Sequence, residues 1–294
     1  MNARALVLYA AVVLIWGSTW IAIPLQLGVV AEEVSVAWRF ALGSLSLFIY
    51  AAATGRQIRI PLRHYGMVIL MGALMFSANY LFTYYSINYV TSGLVAVMFS
   101  LIVVFNAFFE RIFFGRPLER RLIIASVLGV AGVAFMFWPE VRTFNLQDES
   151  LYGVTLALIA VVLASIGNMA AIVNTNRHLP VVSMNAHGMA WGAAVSLVVS
   201  ALAGKEIGFL FQPGYIVSLL YLSVFGSAVA FGCYLALLRQ IGSARAAYTA
   251  VLFPIVALIL STLFENYAWT PQAMIGVLFI LAGNWLALTR IEGN

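Results

Sequence analysis

The sequence has a single cysteine, Cys233, and little charge: Asp, Glu, Lys and Arg together make up 9% of its 294 residues. A lone cysteine excludes an intrachain disulfide, and no Cys/His spacing fits a zinc site. So little charge excludes an ordinary soluble domain, which carries about 25% charged and roughly 45–50% apolar residues. Glycine loops of the phosphate-cradling kind are missing, which argues against direct coupling to ATP. No His/Glu cluster has metal-ligand spacing and no serine sits in a nucleophile elbow, so the sequence implies neither a cofactor nor an enzyme. The net charge is +5, but the basic residues are not gathered into a nucleic-acid-binding face.

Apolar residues fill the chain instead, at 64%. A soluble fold cannot hide that much apolar surface, so lipid is the expected solvent. A span needs about 20 apolar residues. Apolar stretches fall at 5–24, 34–53, 65–87, 91–114, 122–138, 151–173, 183–203, 214–238, 246–264 and 272–290. The first lacks a small-residue cleavage site and reads as a retained span rather than a removed signal. The run 65–115 would make a helix on the order of 75 Å long, far beyond one bilayer. It must fold back, and its turn-like segment is Asn88–Gly93. The run 214–264 splits by the same logic at Arg239–Ser243. Seven of the eight prolines sit at or beside these boundaries; Pro254 alone lies within a span, as a packing kink or a hinge.

The basic residues give the spans a direction. With the N-terminus in the cytoplasm, the inner side carries Arg4, Arg56, Arg59, Arg63, Arg111, Arg116, Arg120, Arg121, Arg177, Arg239, Arg245 and Arg290. The outer side carries Arg142 and Lys205, and Arg39 lies within the second span. Cytoplasmic loops of membrane proteins are enriched in Lys and Arg, so both termini are expected inside.

The two halves match each other. At an offset near 151, Ser92-Gly93 meets Ser243-Ala244, Ala96 meets Ala247, Leu101 meets Leu252, Phe113 meets Phe264 and Ala131-Gly132 meets Ala282-Gly283. Gly17-Ser18 meets Gly167-Asn168 at a slightly shorter offset. Five spans is an odd number, so the second half enters the membrane upside down. The expected fold is therefore an all-α membrane protein of ten transmembrane helices, as two inverted five-helix repeats (1–145 and 146–294) around a central cavity. Secondary transporters recurrently use this architecture and hold substrate near the midplane.

The motifs then resemble a known family. Leu14-Ile15-Trp16-Gly17-Ser18-Thr19-Trp20 is similar to the opening signature of the drug/metabolite transporter superfamily, EamA branch. Val36-Ala37-Trp38-Arg39-Phe40 resembles that family's Arg-Phe pair in the second span, and Gly242-Ser243-Ala244-Arg245-Ala246-Ala247 with Pro254 resembles its ninth span. The resemblance covers essentially the whole chain. It implies ten helices in two inverted repeats, a place in the cell inner membrane and export of small metabolites. Within the family the likeness is to the YddG-type exporters of amino acids, aromatic ones in particular. The sequence departs from the family's Gly-Glu pair: Gly115-Arg116 follows the fourth span, and Glu265 follows the ninth without a glycine.

Candidate site residues follow from polarity inside spans. Ser77, Tyr80, Tyr84 and Asn88 recur at helical spacing in the third span, with Asn79 beside them, and such a stripe has no use facing lipid. Trp16 and Trp20 form an i,i+4 pair near Ser18. Asn168, Trp191, Tyr234 and Tyr248 are comparable positions in the second half, and Met98 would give an adaptable wall. Arg39 has two readings, attraction of a substrate carboxylate or a structural role such as snorkelling to the interface. His187 is either a packing residue or a proton-coupling group. No carboxylate is secure at mid-membrane. The small-residue runs Gly188-xxx-Gly192 and Ala125-xxx-Gly129 suit close helix packing, within the chain or in a dimer, so an oligomer is compatible but not required.

The expected function is alternating-access export of neutral, particularly aromatic, amino acids, with a small-molecule substrate and the lipid bilayer as partners. The rival readings are an uptake carrier, a broad drug/metabolite efflux protein and, more remotely, a membrane-embedded enzyme acting on lipid.

Overall fold

A computed structural model describes residues 3–28, 30–117, 120–136, 138, 149–230, 232–234, 236–237, 240–241 and 249–288, and every regular element among them is helical. The first half holds α1 (Ala3–Ala22), α2 (Glu32–Ala53), α3 (Tyr65–Ala73), a π-helical stretch (Leu74–Ala78), α4 (Asn79–Ile87), α5 (Ser92–Phe99), α6 (Ile102–Phe114) and α7 (Arg120–Met136). The second holds α8 (Glu149–Asn176), α9 (Val181–Leu202), α10 (Pro213–Leu220), a second π-helical stretch (Tyr221–Val229), α11 (Thr249–Phe264) and α12 (Pro271–Leu288). These segments are rich in Val and Ile, which favour strands in water. In lipid each backbone polar group must be satisfied within its own segment, and the helix does that.

Seven helices are long and apolar enough to cross a membrane, and three shorter apolar helices, Ile123–Met136, Leu252–Phe264 and Pro271–Leu286, accompany them. Exposure follows the same logic. Leu6, Val7 and Leu14 on α1 and Ile123, Ile124, Val127 and Val130 on α7 face outward, whereas Ser77, Ser100, Ser165, Ser196 and Asn174 are buried. The chain is a multi-pass membrane protein.

The long third apolar run folds back where expected. Asn88 caps α4, the amides of Tyr89 and Val90 donate to the Ser86 carbonyl at 2.9 and 3.1 Å, and α5 starts at Ser92. The second expected turn, at Arg239–Ser243, lies largely outside the described residues. Ser92 is held from a distance: the Glu265 carboxylate accepts its amide at 3.1 and 3.3 Å and its hydroxyl at 2.9 Å. A negative group at a helix N-terminus satisfies free donors and opposes the positive end of the helix dipole. That bond fastens the end of α11 to the start of α5.

Glycines set the closest helix approaches. A Cβ on Gly72 of α3 would sit 2.4 Å from the Gly188 carbonyl oxygen of α9, and one on Gly192 would sit 2.6 Å from Phe76. Gly132 and Gly276 bring α7 and α12 together in the same way. Both small-residue runs are thus engaged within the chain.

Candidate functional site

A cavity of about 210 Å³ lies among these helices, and both halves of the chain line it. From α1 come Trp16, Thr19 and Trp20, with Ile23 just past its end, and from α2 come Arg39 and Phe40. Met75 and Phe76 of the first π stretch and Asn79, Tyr80 and Thr83 of α4 form a second wall. Phe99 and Ile102 come from the joint between α5 and α6. The second half adds Ala164, Asn168, Met189, Gly226, Ser227 and Phe253.

The aromatic walls are built by paired rings. Trp20 meets Phe99 at 5.1 Å between centroids, and Phe40 meets Tyr80 at 4.7 Å and Phe76 at 5.3 Å. The Trp16 indole N–H donates to the Gly226 carbonyl at 3.3 Å, inside the second π stretch. In such a stretch amides donate to carbonyls five residues back, as Asn79 does to Leu74 in the first and Ala230 to Phe225 in the second. The wider turn alters which carbonyls are left over, and π-turns often occur at functional sites.

Among the described residues, Arg39 is the one charged residue on the cavity wall. It is 4% exposed, so it does not snorkel. Its Nη1 donates to the Tyr84 hydroxyl at 3.4 Å, and that hydroxyl donates to Gln26 Oε1 at 2.6 Å. The guanidinium carbon lies 4.6 Å from the Tyr80 ring centre and 5.4 Å from that of Phe40. Aromatic faces attract a cation but do not neutralise it. Its Nε is buried with no hydrogen-bond partner. Among the described residues the ion pair is Arg116 with Glu110, at 2.6 Å, and no carboxylate reaches Arg39. An uncompensated buried charge costs several kcal/mol, roughly, so a site keeps one only where something offsets it.

The remaining polar groups are amides and hydroxyls. Asn79 is 5% exposed and its Oδ1 has no partner. Asn168 Nδ2 donates to Asn106 Oδ1 at 3.1 Å, which also accepts the Ser165 hydroxyl at 2.7 Å.

The structure brings together Trp16, Trp20, Arg39, Asn79, Tyr80 and Asn168 of the sequence-derived candidates. Others sit behind or away from the wall. Tyr84 is fully buried behind Arg39, and the Tyr234 ring lies tilted against Trp16 at 5.2 Å between centroids. Ser18 shares a 2.6 Å hydrogen bond with the Tyr221 hydroxyl. Ser77 pairs with Ser196 at 2.7 Å, because the π stretch turns it toward α9 and away from the Tyr80 face. Met98 is buried in the core, and Trp191 is 39% exposed on the outer face of α9. Pro254 lies inside α11, next to the wall residue Phe253. Tyr248 lies outside the described residues. His187 is fully engaged: Nε2 is 3.0 Å from the Ile58 carbonyl and Nδ1 is 3.2 Å from the Tyr65 hydroxyl. A carbonyl only accepts, so Nε2 carries a proton.

Sequence reasoning does not single out Thr19, Thr83 and Phe99, which line the wall beside the chosen stripes, or Gln26, which looks like a loop residue although it is 1% exposed.

Comparison with known proteins places these features in a family context. The model of the EamA-like transporter family matches residues 3–138 and 151–289. The uncharacterized transporter YoaV of Bacillus subtilis is 24% identical over 275 residues, 93% of this chain and 92% of YoaV. The uncharacterized inner membrane transporter YedA of Escherichia coli K12 is 26% identical over 254 residues, 86% of this chain and 80% of YedA. PagO of Salmonella typhimurium is 21% identical over 282 residues, 96% of this chain and 92% of PagO. A crystal structure aligns over 98% of this chain and 97% of its own at a TM-score of 0.68 and 16% identity, a likeness of fold.

Proposed function

This chain belongs to the EamA-like transporter family, and on that premise we propose that it exports neutral and aromatic amino acids by alternating access around the central cavity. That places it on the YddG-type branch of the family. The observation that carries the reading is the cavity itself: both halves wall it, with tryptophan, tyrosine and phenylalanine faces and a few amide and hydroxyl groups. Such walls suit apolar and aromatic side chains. They discriminate among them weakly, by about 1–3 kcal/mol per methylene-sized difference.

In this reading ten spans form two inverted five-helix repeats, 1–145 and 146–294, in the inner membrane with both termini cytoplasmic. The seven long helices and three shorter ones supply the ten crossings. Several features support the repeat. One family model matches each half separately. Shifting the first π stretch by the 150 residues that separate Gly17 from Gly167 lays Leu74–Ala78 onto 224–228, inside the second π stretch. The fourth span breaks at Ser100-Leu101, near Val103, which the 151-residue offset pairs with Pro254 in the ninth. At the break the amides of Ser100, Leu101 and Val104 donate three residues back, and the Ser100 hydroxyl bonds the Val97 carbonyl. Serine back-bonding of this kind bends helices without proline. Each repeat thus has a soft point in the same two spans, which gives rocking motions a place to bend.

Counterflow in proteoliposomes tests the reading. Purified protein preloaded with unlabelled phenylalanine should accumulate labelled phenylalanine and other neutral amino acids well above empty liposomes. A parallel run with a pH gradient reads proton coupling. No exchange of any amino acid by folded protein would contradict the substrate class. Broad efflux of lipophilic cations is the rival the cavity opposes, because its one charged wall residue is an arginine.

A further inference from the structure

Resting on the transport reading, the geometry points to Arg39 as an anion anchor: the cavity selects one carboxylate on an apolar body and rejects amines that lack it. Three observations lead there. The guanidinium is buried within a membrane span, faces the cavity and has no acidic partner among the described residues. Its Nε has no partner at all, and its one hydrogen bond, to Tyr84, is long at 3.4 Å. The structural alternatives fail on the same facts: a residue this buried does not snorkel, and no backbone carbonyl among the described residues accepts from it. What remains is a guanidinium on an aromatic-walled space with one long bond made and its Nε unfilled, a planar fork of the kind that pairs with a carboxylate.

Asn79 supplies the second half of the subsite. Its amide lines the same cavity, one residue along α4 from Tyr80, whose ring lies under Arg39. The Asn79 Oδ1 is buried and unpartnered. An amide oxygen in that state accepts from an ammonium or an N–H. Among the described residues no Asp or Glu lines the wall, so an ammonium meets one neutral acceptor while a carboxylate meets a full charge. The ranking that follows is carboxylate first, amine second. The aromatic body lies against Trp16, Trp20 and Phe99.

Four phenylalanine-like probes separate these groups: phenylalanine, 3-phenylpropanoate (no amine), phenethylamine (no carboxylate) and phenylalanine amide (carboxylate neutralised). Binding is read from the intrinsic tryptophan fluorescence of the purified wild-type protein, since two tryptophans line the cavity. Phenylalanine should bind best, with phenylpropanoate about tenfold weaker. The amine and the amide should bind weaker than phenylalanine by about a hundredfold, the upper range for losing a hydrogen-bonded charged group. Arg39→Gln should weaken both acids by about ten- to a hundredfold and leave phenethylamine binding no weaker, since a like charge is removed; Arg39→Lys should recover part of the loss. Phenethylamine binding as tightly as phenylalanine, or no probe binding, overturns the inference, and the wild-type panel decides this even where a variant fails to fold. Binding of acids without counterflow instead removes the transport reading and leaves the subsite standing.

Discussion

Tyr84 shows how the site is supported from behind. Its hydroxyl accepts from Arg39 and donates to Gln26, whose own Nε2 is buried without a partner. Tyr84→Phe removes both bonds and leaves the Gln26 amide unsatisfied at both ends. We expect a stability loss on the order of 1–3 kcal/mol, the cost of orphaning buried polar groups, read as a lower midpoint of thermal unfolding in detergent. Acid binding should persist, because the guanidinium remains. An unchanged midpoint would show that the Gln26–Tyr84–Arg39 chain is not structural. The sequence marked Tyr84 and Arg39 by polarity inside spans, but it carried no sign that they touch. Gln26 was invisible, since its place just past the first span reads as loop until the chain folds over it.

At the scale of elements, part of the segmentation was legible in the sequence. Prolines, the uncharged turn at Asn88–Gly93 and runs too long for one bilayer mark where helices stop, because the membrane leaves few other ways to satisfy a backbone. The small-residue runs of α9 and α7 likewise marked faces for close packing, but not their partners, α3 and α12. The π stretches were not legible. Nothing in the composition of Leu74–Ala78 distinguishes a five-residue hydrogen-bond pattern from a four-residue one, and the wider turn rotates everything after it. A simple 3.6-residue stripe therefore placed Ser77 with Tyr80, whereas Ser77 bonds Ser196 on α9. Deleting Leu74 should remove the extra residue that the wider turn holds and restore a regular helix, with Asn79 and Tyr80 kept on the wall and the bend point lost. The protein should still fold, as judged by a single sharp peak in size-exclusion chromatography, and bind phenylalanine within about threefold of wild type, while counterflow falls. Unchanged counterflow would mean that the π stretch is not where the first repeat bends.

At the scale of the whole molecule, hydrophobicity identified lipid as the solvent, and the family match makes the chain a membrane transporter. The exterior is apolar and the buried positions hold many serines and asparagines, the reverse of a soluble domain. Helix association in lipid rests on packing of small residues and on hydrogen bonds between helices, which is what Gly72, Gly188, Ser77 and Ser196 provide. Which side chains enclose the central space was only half legible. Polar and aromatic residues drew notice, but cavity membership also depends on helix rotation, and that brought in Ile23, Met75 and Ile102.

Alternating access is the central claim, and it is tested most directly by reaching the cavity from each side. With Cys233 changed to serine, Ser227→Cys places one thiol on the cavity wall at a position 3% exposed. A membrane-impermeant maleimide is then applied to right-side-out and to inside-out vesicles. The account predicts labelling from both sides, and phenylalanine should slow it in both. Labelling from one side only, whatever ligand is present, would contradict it.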